Sequence, residues 1–194
     1  TDTLVSSFGQ DELIHVDAAT GQAGNRWAVG NGPIDVANWA NDVYVANTLS
    51  QDITVVDRLA NNVVTSIDVK PAQGNTSITG LSFIDNLLVP ALGPVSRPLG
   101  VAVTPLGTKA FVANTIGLTS INTTTNQVGK HMIGIGQINL AGLISSPRTA
   151  LNQFMASPFP GLGVAKVACT NDVAVATCLI TGKLMRVDAR TDTV

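Results

Sequence analysis

The chain repeats itself, and the repeat constrains its fold more than any other feature. Residues 4–18 (LVSSFGQDELIHVDA), 44–58 (YVANTLSQDITVVDR), 111–123 (FVANTIGLTSINT) and 174–189 (AVATCLITGKLMRVDA) share one pattern. Each reads as an alternating apolar strand, a short polar link, a second alternating strand and then Asp or Asn. The first strands end at Ser7, Asn47, Asn114 and Thr177, which are 40, 67 and 63 residues apart. The second strands end at Asp17, Asp57, Asn122 and Asp188. The shortest step matches a four-strand unit of about 40–45 residues.

Residues 32–70 hold one complete unit. Gly32-Pro33 opens a strand, Asn41-Asp42 turns it, Ser50-Gln51-Asp52 turns again, and Asn61-Asn62 leads into a fourth strand. Strands over 34–38, 43–48, 53–57 and 63–69 are therefore predicted to form one antiparallel meander. Residues 98–135 repeat the pattern, and units are read at about 1–30 and 161–194. Residues 78–91 (ITGLSFIDNLLVPA) match 34–47 (IDVANWANDVYVAN) at an offset of 44, placing Phe83 on Trp39. That partial unit, about 77–96, fits a two-stranded blade, a stretch missing from the chain near 92–97, or a plain surface loop. Residues 136–160 form an irregular insertion. Four-stranded sheets repeating along one chain point to an all-β fold, a β-propeller of four-stranded antiparallel blades, as one domain over 1–194. About four to five blades are visible, so the expectation is an incomplete ring. Val45, Val55, Val112 and Val175 hold matching strand positions and are expected between blades.

The motifs VYVAN, AFVAN, ITVVD and PLGVAVTPLGTKAFVAN resemble the YVTN-type β-propeller repeat. The resemblance covers about two-thirds of the chain and fails at about 71–96 and 136–160. It implies a bacterial or archaeal secreted, periplasmic or surface-layer protein serving as a binding or scaffold module. Some related propellers are enzyme subunits or partners of cytochromes and quinone-dependent dehydrogenases.

Composition narrows the function classes. Apolar residues make up 45% of the chain and charged residues 12%, with a net charge of −2. A polybasic nucleic-acid binder and a disordered chain are both excluded, and with 4% aromatics a base-stacking platform is not expected. Mean hydropathy is +0.30, but no apolar run of about 18 residues exists, so no transmembrane segment is expected.

The chemistry-bearing residues are few. Asp17, Asp57 and Asp188 could suggest metal ligands. Each precedes a turn, however, and Asn122 fills the same position, which suits an Asx turn and not a carboxylate ligand set. His15 on a third strand and His131 on a fourth are expected at solvated strand positions, too far apart for a His-rich metal centre. Cys169 and Cys178 are not symmetric about the turn 170–172, so a direct disulfide is disfavoured. Two buried free thiols are expected, or pairing with residues outside this chain. No Cys-x-x-Cys-His and no nucleophile elbow is present. Gly134-x-Gly136 and Gly161-x-Gly163 lack the third glycine of a dinucleotide site. Asn75-Thr76-Ser77 and Asn122-Thr123-Thr124 are glycosylation sequons. No catalytic residue, cofactor or metal is assigned.

The insertion 136–160 carries Leu143, Phe154, Met155 and Phe159 as the expected apolar anchors for a partner. It and 71–96 both follow a fourth strand and precede a first strand, so both are expected on one face of the ring. A protein or domain is expected to dock there. The function read from the sequence is a non-catalytic, extracytoplasmic interaction or scaffold module in the periplasm or at the cell surface. The alternative is a propeller subunit of a redox enzyme or cytochrome-associated electron-transfer complex.

Overall fold

The structure is a computed structural model and describes residues 2–70, 76–77, 96–132, 163–179 and 182–194. All regular elements among them are strands. Sheet 1 comprises β1 (Asp2–Ser7), β2 (Glu12–Asp17) and β3 (Ala23–Ala28); sheet 2 comprises β4 (Pro33–Trp39), β5 (Asp42–Asn47), β6 (Asp52–Asp57) and β7 (Asn62–Asp68). The short β8 (Thr76–Ser77) lies parallel to the outer edge of sheet 3, which is built from β9 (Pro98–Val103), β10 (Lys109–Asn114), β11 (Leu118–Asn122) and β12 (Gln127–Met132). Sheet 4 comprises β13 (Val164–Cys169), β14 (Val173–Cys178) and β15 (Lys183–Asp188). The four strands predicted over 34–69 form one antiparallel meander in chain order. The architecture is that of a β-propeller.

The turns explain the recurrent acids. Asp17 Oδ1 accepts the amides of Ala19 and Thr20, and Asp57 Oδ1 accepts those of Leu59 and Ala60. Asn122 Oδ1 accepts the amides of Thr124 and Thr125, and Asp188 Oδ1 those of Arg190 and Thr191. Four residues after each cap, the chain enters the left-handed region at Gly21, Asn61, Asn126 and Asp192. These are the Asx turns expected from the sequence. The amide bonds hold the exposed carboxyls of Asp17 and Asp188 below the ordinary carboxylate range.

Side chains of both sheet faces pack between neighbours. Leu13 and Trp27 of sheet 1 meet Val43, Val45 and Val56 of sheet 2. Tyr44, Ala46, Ile53 and Val55 of sheet 2 meet Val101, Ala110, Val112 and Ile121 of sheet 3. Phe111, Leu118 and Met132 of sheet 3 meet Ala174, Ala176, Met185 and Val187 of sheet 4. The first strands β4, β9 and β13 are successive neighbours, and β1 touches β4 as β5 touches β9 and β10 touches β13. Sheet 1 therefore presents a second, third and fourth strand. Sheets 2 and 3 pack directly on each other, with no sheet between them among the described residues. Most of the stretch read as a partial blade over 77–96 lies outside those residues.

Val45, Val55 and Val112 are buried between sheets as expected; Val175 is half-buried. The cause is a one-residue slip in the sequence alignment. The turn after β14 shows the true register: Gly182 donates to the Cys178 carbonyl as Gln51 does to Asn47, and both turn residues have positive φ. Cys178, not Thr177, is the equivalent of Asn47 and Asn114. A slip of one reverses every side chain across a sheet, so Ala174 and Ala176 face sheet 3 while Val175 faces away.

Candidate functional site

Three inner-strand positions stand at the same depth. The ladder pairs Asp35 with Ala46, Gly100 with Ala113 and Lys166 with Thr177, each next to a local break in register. The side chains in order are an anion, no side chain and a cation. Asp35 Oδ1 accepts from Lys166 Nζ at 2.7 Å, so an ion pair links sheet 2 to sheet 4 across sheet 3. Asp35 Oδ2 accepts the Val101 amide at 2.9 Å. Gly100 makes the crossing possible: a Cβ there would stand 2.8 Å from the Ala165 carbonyl oxygen and 3.3 Å from Asp35 Oδ2. Lys166 is exposed, so this pair orders the strands more than it stabilises them.

A second chain of contacts joins the turns after the first strands. Trp39 Nε1 donates to the Pro105 carbonyl at 3.1 Å, and the Leu106 amide donates to Asn171 Oδ1 at 3.0 Å. The indole lies over Gly107, whose φ is +67° and where any Cβ would overlap the ring. Lys109 Nζ donates to the Ala189 carbonyl at 2.8 Å and pairs with Asp192 at 2.8 Å. All of these cross from one sheet to the next.

The buried polar groups are structural. In sheet 2, Asn47 Nδ2 donates to Asp52 Oδ1 and Thr54 Oγ1, while Ser50 and Ser66 donate to the same Asp52 carboxylate. In sheet 3, Asn114 Nδ2 donates to Thr119 Oγ1 at 2.6 Å, and His131 Nε2 lies 2.9 Å from the Ile116 carbonyl. With that nitrogen protonated, His131 Nδ1 accepts from the Thr119 hydroxyl at 2.5 Å. His131 is buried, not solvated as expected: it pairs with Thr119 as the exposed Ser66 pairs with Thr54, but β8 lies alongside β12, with Thr76 opposite His131 in the ladder. Burial pushes its pKa down to about 4. His15 is half-buried, also unlike the expectation, with its imidazole against Gly24.

Cys178 is buried and Cys169 only half-buried, and neither is in a disulfide. Cys169 pairs with Ala174 and Cys178 with Val164, at opposite ends of one hairpin, which is why they form no disulfide. Burial raises the Cys169 thiol to about 11, away from nucleophilic use. Among the described residues, no three His, Cys, Asp or Glu side chains gather as a metal site. No helix there is long and apolar enough to cross a membrane. Leu143, Phe154, Met155 and Phe159 lie outside the described residues, as do Asn75, Gly134, Gly136 and Gly161. The sequence reading overlooked Asp35, Gly100 and Lys166. The signal was the Pro-Ile-Asp and Pro-Leu-Gly pair at 33–35 and 98–100.

No protein-family model and no curated protein matches the sequence. Solved structures do. Hydrazine synthase of Kuenenia stuttgartiensis is similar over 100% of this chain and 44% of its own, at 16% identity and a TM-score of 0.68. Sqt1 of Saccharomyces cerevisiae is similar over 98% of this chain and 43% of its own, at 12% identity and a TM-score of 0.63. The WD40 repeats of RRP9 are similar over 96% of this chain and 47% of their own, at 6% identity and a TM-score of 0.56. The chain spans less than half the length of each, and at these identities the likeness is one of fold: a β-propeller.

Proposed function

We propose that this chain is a β-propeller interaction or scaffold module, of the YVTN-type repeat that its sequence resembles, working in the periplasm or at the cell surface. One observation carries the reading. The recurring polar residues are committed to holding the blades: Asp17, Asp57, Asn122 and Asp188 cap turns, Asn47 and Asn114 anchor buried networks, and His131 fills one of them. Chemistry repeated from blade to blade serves the scaffold, and recognition falls to what does not repeat. The non-repeating stretches are 71–96 and 136–160. A protein or domain docks on the face that bears them, with Leu143, Phe154, Met155 and Phe159 as anchors. The test is chemical cross-linking in native extracts followed by Phe154→Ser and Phe159→Ser. Cross-links from 71–96 and 136–160 to one partner, lost in the double variant while its melting temperature holds, support the proposal. Lost stability with unchanged partner binding overturns it.

A second reading is a propeller domain of a redox enzyme or of a cytochrome-associated complex. Its support is the fold likeness to hydrazine synthase. An optical spectrum of natively purified material decides: a haem or quinone band in a co-purifying chain favours this reading, and a colourless partner favours the first.

A further inference from the structure

The turn after β11 departs from its three counterparts in two ways at once. Asp17, Asp57 and Asp188 cap their turns through Oδ1. Asn122 caps this one in the same way, its Oδ1 taking the amides of Thr124 and Thr125. An Asp therefore serves the cap as well as an Asn. The carboxamide of Asn122 brings a nitrogen that the turn does not use, and Nδ2 has no partner among the described residues. The residue two after the cap differs as well. It is Ala19, Leu59 and Arg190 in the aspartate turns and Thr124 here. The two departures together write Asn-x-Thr, the acceptor sequence for an N-linked sugar. Neither departure is needed for the turn, and only this turn of the four combines them.

The geometry presents both acceptor residues to solvent. Asn122 and Thr124 are exposed. Thr123 between them is tied inward, its amide donating to the Thr108 carbonyl and its hydroxyl to the Gly107 carbonyl. Asn122 lies at the end of sheet 3 where it pairs with Lys109 and Gln127. Within that sheet, the link 71–96 leads into β9 and the link 136–160 follows β12 at the other end, where Pro98 pairs with Asn114 and Met132 with Leu118. A sugar on Asn122 therefore projects away from the end on which the docking partner is placed. We propose that Asn122 is an N-glycosylation site, modified on Nδ2 by a glycosyltransferase that uses a phosphate-activated sugar donor. The bond that forms joins Nδ2 to the anomeric carbon. The bond that breaks joins that carbon to a phosphate oxygen of the donor, which leaves as the phosphate. Nδ2 gives up one proton, and nothing is oxidised or reduced. Oδ1 is untouched, so the two turn bonds persist in the modified chain. The proposal rests on the extracytoplasmic reading, because an acceptor sequence is used only where the chain enters a glycosylating compartment.

Peptide mass spectrometry of the protein recovered from fractionated native cells tests this. The peptide that holds Asn122 is expected to carry the added mass of a sugar chain and to release sugar fragment ions. The peptide that holds Asn75 is read separately in the same digest. Asn122→Asp keeps the cap in the form that three turns already use, and Thr124→Val keeps Asn122 itself. Both variants are expected to lose the added mass from this peptide and to retain the far-ultraviolet β signature. A bare Asn122 on chains recovered outside the cytoplasm overturns the modification and leaves the extracytoplasmic reading standing. A bare Asn122 on chains confined to the cytoplasm overturns both. Added mass that persists in Asn122→Asp also overturns the proposal, because the sugar then sits on a neighbouring threonine hydroxyl. So does added mass that persists in Thr124→Val, because the acceptor sequence is then not what is read.

Discussion

His131 is the side chain whose surroundings most change its chemistry. Its neutral ring links the Thr119 hydroxyl to the Ile116 carbonyl inside sheet 3, and burial lowers its pKa from 6.5 to about 4. The sign of the consequence follows from proton counting. Between these values the unfolded chain binds a proton that the folded chain refuses, so stability rises with pH. This contribution is complete above about pH 6.5 and fades as the pH falls towards 4, amounting to about 3 kcal/mol at most. Denaturant titrations from pH 7 to 4 should show that slope, and His131→Ser, copying Ser66 of sheet 2, should remove it whatever its overall cost. Asp17 and Asp188 titrate lower, so loss of their turns belongs below this window. Burial at matching valines gives a second test. Val45→Ala should cost about 1–3 kcal/mol and half-buried Val175→Ala clearly less, because only the first leaves a cavity between sheets. Equal costs in chemical unfolding would mean that the two faces are wrongly assigned. The Asx turns were legible in the sequence because cap and turn lie within four residues. The environment of His131 was not, since Ser66 occupies the matching position and nothing local to His131 marks it as buried.

At the scale of elements, the strands and their turns follow from alternation and from Asn, Asp and Gly placement. Register within an element was harder to read. In β14, the run VAVATC offers small residues on both faces, so apolar alternation fits either register. The turn residue Gly182, four after Cys178 as Gln51 is four after Asn47, breaks the tie. Cross-sheet contacts were beyond sequence reasoning, because the partners are far apart in the chain. Trp39 and Gly107 show this best. Gly107→Ala forces a side chain into a positive φ and into the indole, and should cost at least about 1 kcal/mol. Trp39, already 41% exposed, should lose its perch, so thermal melts should fall and tryptophan emission shift to the red. Unchanged emission would mean that the two turns do not meet.

For the whole molecule, the repeat was enough to name the architecture, while the order of packing needed the structure. The offset of 44 between residues 34–47 and 78–91 invites a blade between sheets 2 and 3, yet β4 and β9 are neighbours. Sequence similarity between two segments does not by itself fix the order in which sheets pack. The contact from Asp35 to the Val101 amide carries this conclusion, because it joins the two sheets through one hydrogen bond on the inner strands. Hydrogen exchange at that amide is the most direct measurement. The account predicts a protected Val101 amide in the wild type, and in Asp35→Ala a selective loss of that protection with the other β9 and β10 ladder amides unchanged. A Val101 amide that exchanges freely in the wild type, or keeps its protection without the carboxylate, would contradict the direct packing of sheets 2 and 3.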